Sequence, residues 1–399
     1  MPLELTPARE RALLFTLMAL QFVSIVDFMI MMPLSSQLMA VFDIQPAKFG
    51  VLVSAYALSA GVSSLLASSL GDRFDRRNAL LASFVGLLIA TLACAHASTF
   101  ELLLIARIVA GFFGGVLGSI VLAIVGDVFP PTKRGKAMGI VMLAFSLAAI
   151  AGVPLGLFIS AHFSWQTPFS FLSYAGIIVL IAAYKVIPSV RGHLNQPQAS
   201  FFKSYAELFR IRNHWWAFTV SCLVMFSGFM VIPYIAPTMV SNIGMTDHEL
   251  PYIYLCGGLA TLFTRPVIGR MTDKYPHWKV MAVTSLLSFI PIILVTQTLK
   301  TPFWVQLVFA TLFFVFVSGR FIPTSALITA SCESRFRGRV MAFSSAVQNF
   351  GSGFAALIAG AIMVKAPDGE ILHYDWVGYI ACAVSLVAIY AATKVKSVS

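Results

Sequence analysis

Long apolar runs broken by short polar stretches constrain this chain more than any other feature. They fall near residues 12–34, 49–70, 79–97, 102–126, 137–160, 167–187, 214–240, 251–269, 279–297, 303–327, 340–363 and 376–393. About 20 apolar residues in α-helical form span the hydrocarbon core of a bilayer. Inside lipid every backbone polar group must be satisfied within its own segment, so runs of this length are helices. Composition agrees: 59% of the 399 residues are hydrophobic and 11% are charged, with a mean hydropathy of +0.87. A soluble domain carries about 25% charged residues. The expectation is an all-α membrane protein with twelve transmembrane helices.

The net charge of +11 would suggest a nucleic-acid partner in a soluble protein. The placement of the basic residues argues otherwise. Twenty-one of the 27 Lys and Arg fall in breaks that share a side with the N-terminus, from Arg9 and Arg11 to Lys394 and Lys396. Only Lys48, Lys300 and Lys365 fall on the other side, while Arg107, Arg265 and Arg320 lie inside spans. Basic loops mark the cytoplasmic face. Both termini are therefore expected in the cytoplasm, in a multi-pass protein of the plasma (inner) membrane with an even number of spans and no nucleic-acid partner. The polar stretch Met1–Ala12 carries no cleavage signal, so the first apolar run reads as a retained span.

The five cysteines are far apart and the seven histidines scattered, so no metal-ligand spacing appears and no cofactor is implied. A nucleophile elbow, paired carboxylates and a Gly-rich phosphate loop are likewise missing. These gaps argue against an enzyme and against a nucleotide-driven pump.

The longest polar break, 188–213, divides six spans from six. It reads as a cytoplasmic linker, with an amphipathic piece at Phe201–Phe209 lying in the interface. The expected organisation is one six-helix half at 1–187, this linker, and a second half at 214–399. The halves resemble each other. Asp72-Arg73 after the second span answers Asp273-Lys274 after the eighth at an offset of 201. Arg134-Gly-Lys136 after the fourth answers Arg337-Gly-Arg339 after the tenth at 203. An internal six-span repeat around a central site is the expectation.

Asp27 is the sharpest single residue. Of sixteen acidic residues it alone lies well inside an expected span. A carboxylate in lipid is costly unless protonated, paired or hydrated. Gln21, Ser24 and Asp27 recur at three-residue steps and share a helix face, which should line a wet cavity. Two readings are open: a proton carrier, or a fixed hydrogen-bond partner. Arg107, near the start of its span, could snorkel to the non-cytoplasmic surface. Asp27 lies toward the same side, so the two could couple. Asp127, at the cytoplasmic end of the fourth span, is an available partner for Arg76. Arg320 follows Ser318-Gly319 and precedes Pro323, deep in its span, where it could face the cavity and hold an anionic substrate. Gln348 and Asn349 on the eleventh span are further cavity candidates.

In its motifs the chain resembles the major facilitator superfamily. The loop signature Gly-x-Leu-Ala-Asp-Arg-x-Gly-Arg-Arg is matched by Leu70, Asp72, Arg73, Arg76 and Arg77, but Ser68 and Asp75 stand where both glycines should be. Arg107 with Gly111 matches a fourth-span signature, and Gly152-Val-Pro154-Leu-Gly156 matches the fifth-span signature of antiporters. Asp27 followed by Pro33 matches the first-span acidic signature of twelve-span drug:proton antiporters.

This resemblance implies the major facilitator fold, with two six-helix halves rocking around a midplane site. It turns Arg107 toward the cavity, where the cation would bias a nearby carboxylate. It makes Asp72, Arg73, Arg76, Arg77, Asp127 and the repeat's Asp273 a conformational latch, with Asp72 meeting a helix start near Val340. It makes Gly152, Pro154 and Gly156 a seal against Gly351 and Gly353 of the eleventh span. The implied function is proton-coupled efflux of small drug-like, sugar-like or metabolite molecules by a monomer in the bilayer. A symporter importing a small nutrient, anionic or neutral, is the alternative, and a membrane-embedded enzyme is the third reading.

Overall fold

The computed structural model describes residues 6–70, 74–190, 207–333 and 336–398, the side chains of 68–70 and 131 excepted. Asp72, Arg73 and most of the expected linker lie outside these residues. The described chain is almost entirely helical. The first helices are α1 (Pro7–Ile30), α2 (Ser35–Val41), α3 (Pro46–Leu70), α4 (Arg76–Ala95), α5 (Phe100–Val128), α6 (Pro131–Leu147), α7 (Val153–His162) and α8 (Thr167–Val186). After the linker come α9 (Arg212–Val231), α10 (Ile235–Thr238), α11 (Leu250–Lys274), α12 (His277–Thr296), α13 (Phe303–Gly319), α14 (Phe321–Ala330), α15 (Arg337–Ile362) and α16 (Tyr374–Lys394). The described strands are β1 (Val364–Lys365) and β2 (Ile371–Leu372), a two-residue antiparallel pair.

Among the described residues eleven helical stretches are long and apolar enough to cross a membrane. Helix α11 is not one of them. It forms in full over 25 residues where the eighth span was expected, but it carries Arg265, Arg270, Asp273 and Lys274. The helices turn large apolar side chains outward: Ile178, Phe263 and Trp304 are each more than 70% exposed. A surface of this kind suits lipid rather than water.

Several spans are broken where proline withholds an N–H. The first expected span, 12–34, ends as a helix at Ile30 and turns through Pro33 into α2. The fifth widens into a π-helical turn at Ala148–Gly152, just before Pro154. The tenth is interrupted at Arg320, because Pro323 has no N–H for the carbonyl of Gly319.

The chain divides into two compact units. The first comprises Met1–Ile30 and Ser59–Phe201, and the second comprises Met31–Leu58 and Phe202–Ser399. Residues 31–58, counted with the first half in the sequence, thus belong to the second unit. The reason is close backbone approach. A Cβ at Gly50 would lie 2.6 Å from the Ala356 carbonyl oxygen, and one at Gly360 would lie 2.7 Å from that of Pro46. Only glycine lets α3 and α15 come so near. In the first unit α4 packs along α5 and α8, and α1 packs along α6 and α8. In the second, α9 packs along α15 and α16, and α13 along α11 and α12.

Candidate functional site

The deepest polar site of the first unit is built by α1, α4 and α5. Each helix contributes one side chain to it. Asp27 on α1 is fully buried, and Arg107 on α5 is 1% exposed. Arg107 Nη1 lies 3.1 Å from Asp27 Oδ2 and also donates to the Asp27 backbone oxygen at 3.2 Å. Thr91 on α4 has its Oγ1 2.8 Å from Asp27 Oδ1 and 2.9 Å from the Leu87 carbonyl oxygen. Both carboxylate oxygens are therefore occupied. The structure brings Asp27 and Arg107 together, and Arg107 turns inward rather than to a surface.

A hydroxyl has one proton to give and two lone pairs to receive with. Thr91 can donate to an ionised Asp27, or donate to Leu87 and accept from a protonated Asp27. The ionised acid is compensated by the guanidinium, and the neutral acid keeps a hydrogen bond through Thr91. The geometry thus gives this buried carboxyl group a hydrogen-bond partner in both protonation states. Sequence reasoning missed Thr91, because one threonine within an apolar helix carries no distinguishing pattern. Gln21 lies on α1 beside α5: a Cβ at Gly118 would be 3.9 Å from its Nε2, and its buried Oε1 has no hydrogen-bond partner among the described residues. Ser24 is buried on the same helix.

The residues expected at the loop after the second span gather at one end of this unit. Arg76 Nε meets Asp127 Oδ2 at 2.5 Å, and Arg77 Nη2 donates to the Tyr184 carbonyl at 2.6 Å while its guanidinium lies over the Tyr184 ring. Asp75, the departure from the family signature, holds this turn. It caps α4 by accepting from the Arg77 N–H at 3.0 Å, and it also receives the Val190 N–H and the Ser189 hydroxyl. Asp72 and Arg73 cannot be placed beside them, being outside the described residues. Asp273, the repeat's counterpart, is exposed near the end of α11.

The glycines expected to form a seal are placed as follows. A Cβ at Gly152 would strike Val26 of α1, and one at Gly156 would strike Ile30. Pro154 is buried between them in sequence. Gly351 lies against Cys222 of α9, and Gly353 against Leu58 and Ala57 of α3. Each of these glycines has a close partner on another helix of its own unit.

In the second unit Gln348 of α15 donates to Ser221 of α9 at 2.9 Å, and Ser221 and Ser344 lie 2.7 Å apart. Asn349 is half-buried, and its backbone oxygen accepts from Ser352. Arg320, fully buried at the α13–α14 break, donates through Nη1 to Ser385 of α16 at 2.9 Å and through Nε to the Val317 carbonyl. Ser221 and Ser385 were not singled out from the sequence; buried serines on apolar helices are too common to stand out. Among the described residues no group of three or more His, Cys, Asp or Glu is placed to hold a metal ion.

The profile of the Major Facilitator Superfamily matches residues 17–234 and 217–397, which is nearly the whole chain. The chain belongs to the major facilitator superfamily. Its relatives within the superfamily include an uncharacterized MFS-type transporter, YceJ, of Bacillus subtilis, 24% identical over 86% of this chain and 87% of that protein. Another is a probable sugar efflux transporter of Mannheimia succiniciproducens, 24% identical over 87% of this chain and 85% of its own length. Among solved structures, a D-xylose-proton symporter superposes with a TM-score of 0.80 at 16% identity, covering 98% of this chain and 100% of that one. This superfamily member therefore has the major facilitator fold and is a multi-pass membrane transporter of small molecules. Ionisable groups buried among membrane-spanning helices are costly, and Asp27 and Arg107 form such a pair.

Proposed function

We propose that this transporter exports small molecules in exchange for protons, and that Asp27 carries the proton. One observation supports this most: a buried carboxyl group whose partners, Arg107 and Thr91, satisfy it in either protonation state. A proton from outside neutralises Asp27 and frees Arg107 from its counter-charge. Release to the inside restores the pair. In this reading the two states of the pair bias the two states of the alternating-access cycle. Gln21, with an idle buried carbonyl oxygen, is an acceptor for cargo hydroxyls, and Gln348 and Asn349 are candidate contacts in the other half. Cytoplasmic termini and an inner-membrane location follow from the basic-residue asymmetry. Arg76, Arg77 and Asp127 would latch one end of the first unit between states. The probable sugar efflux transporter among the relatives fits the direction, as does the Gly152-Val-Pro154 motif.

The experiment is transport in proteoliposomes under an imposed pH gradient, screening pentoses, hexoses and their acids. Asp27→Asn should abolish gradient-driven accumulation and retain downhill exchange, since Asn resembles the protonated acid. If the variant still concentrates cargo against its gradient, Asp27 is not the carrier. The orientation of the gradient that drives uptake also separates export from proton-coupled import.

A further inference from the structure

The second unit buries a charge that it does not compensate. Arg320 is fully buried, yet its bonds run to one hydroxyl, Ser385, and one carbonyl, Val317. Its Nη2 is buried with no hydrogen-bond partner among the described residues, leaving two N–H donors idle. None of the described acidic residues of this unit is buried, whereas Arg320 is fully buried. Leaving such a group unpaired in a dry interior is strongly unfavourable. A plain structural role would not require it, because Met or Leu fills the same volume without the penalty. Arg320 lies ten residues from the Ala330 end of its span. At about 1.5 Å per residue that is roughly 15 Å, close to mid-bilayer, where transporters hold their cargo.

The α9 position facing Nη2 is a glycine, which places no side chain beside it. A Cβ at Gly228 of α9 would lie 3.6 Å from Nη2 and 3.3 Å from Val317 Cγ1. The break at Arg320 adds a second element, because α14 begins one residue later and a helix start favours an anion. A guanidinium with idle donors, beside a position without a side chain, matches a carboxylate better than any neutral group.

We propose that Arg320 binds the carboxylate of the cargo, so that this transporter's substrates are small organic acids such as sugar acids. The proposal rests on the transporter reading and narrows it to a substrate class. Arg320 and the coupling site are separate elements: Asp27 handles the proton in one unit, and Arg320 handles the anion in the other.

The test uses the full-length protein in lipid nanodiscs, with sodium acetate as the probe and sodium chloride at equal ionic strength as the reference. Ligands that bind the native state raise the unfolding temperature. Acetate should raise that of the wild type by roughly 2–4 °C over chloride. The rise should vanish in Arg320→Gln and shrink in Gly228→Ala, which keeps the charge but narrows the space. An equal response in wild type and Arg320→Gln overturns the proposal. So does an Arg320-dependent effect of chloride as large as that of acetate, since the site would then take inorganic anions rather than cargo. Should Arg320→Gln fold too poorly to measure, Gly228→Ala and Arg320→Lys decide, and an undiminished acetate response in both counts against the proposal. In proteoliposomes D-xylonate should be carried in preference to D-xylose by wild type, with the preference lost in Arg320→Gln. An acetate response that persists without any transport would sink the exporter reading and leave the anion site standing. Transport with no preference for xylonate would do the reverse.

Discussion

Among the described residues each unit buries one arginine in its helical interior, and the two are treated in opposite ways. Arg107 is held by Asp27 on a neighbouring helix, and the acid is held in turn by Thr91. Arg320 is equally buried but finds only Ser385 and a carbonyl, with Nη2 left over. One guanidinium is a closed pair and the other an open half-pair. In the reading proposed above, the difference separates two tasks of a coupled transporter. On that proposal the closed pair responds to protons, since protonation of the acid removes its charge. On the same proposal the open half-pair responds to an arriving anion, because no described residue of its own unit completes it.

The largest effect that can break this comparison is on stability. Removing one partner of a buried ion pair strands the other, at a cost of about 3–5 kcal/mol. Arg107→Met should therefore strongly destabilise the protein, and Asp27→Asn with Arg107→Met together should recover much of the loss. Arg320→Met removes a charge that has no counter-charge, so it should be neutral or stabilising by about 1–3 kcal/mol in the absence of a bound anion. Thermal unfolding in nanodiscs reads all three. Equal losses from Arg107→Met and Arg320→Met would mean that Arg320 has an acidic partner after all, and the contrast between the units would fail.

A smaller effect tests the hydroxyl. Thr91→Val keeps the shape and the ion pair but removes the group that serves both states of Asp27. A hydrogen bond to a charged group contributes about 1.5–3 kcal/mol. Because the hydroxyl also bonds Leu87, which valine cannot, part of the loss is common to both states of Asp27. The expected signature is a reduced rate of gradient-driven transport with a modest fall in unfolding temperature, and rescue of both by Thr91→Ser. A Thr91→Val variant that transports like wild type would assign the hydroxyl to helix packing alone.

How far this was legible in the sequence depends on what each feature rests on. The spans were legible because lipid admits few solutions: a run of about 20 apolar residues has to be a helix. The eighth span is where that rule weakens, since Arg265 and Arg270 lower its apolar content although the helix forms. Asp27 was legible because an acid inside an apolar run is costly and therefore rare. Arg107 was legible as a residue, but its direction came only from the resemblance, since snorkelling was equally open to it. Thr91 and Ser385 were invisible, because their role is set by which helices touch and not by any local pattern. The same holds for residues 31–58. Their attachment to the second unit depends on Gly50 and Gly360 meeting backbone of a distant helix, and periodicity carries no trace of that.

The smallest effect concerns the turns that precede α4 and α12, which the repeat makes counterparts. In the first unit Asp75 replaces the glycine of the family signature and gathers three donors: the Arg77 N–H, the Val190 N–H and the Ser189 hydroxyl. In the second unit α12 starts after Pro276 with no side-chain cap. The first turn is therefore tied through Asp75 to Ser189 and Val190, whereas the second has no side-chain cap at its helix start. Losing an N-cap acceptor costs about 0.5–2 kcal/mol. Asp75→Ala should lower stability by roughly 1 kcal/mol and speed hydrogen exchange at the amides of Arg77 and Val190 together. Asp75→Asn keeps an acceptor oxygen and should show less of both. Asp75→Gly, which restores the family residue, should exchange like Asp75→Ala although it preserves the helix start, because glycine cannot reach Val190. The pairing of the two amides carries the argument: Arg77 belongs to the cap, and Val190 lies 115 residues away in sequence. If only the Arg77 amide responds, Asp75 is an ordinary cap, and the departure from the family signature does nothing to tie the turn to the linker's first residues.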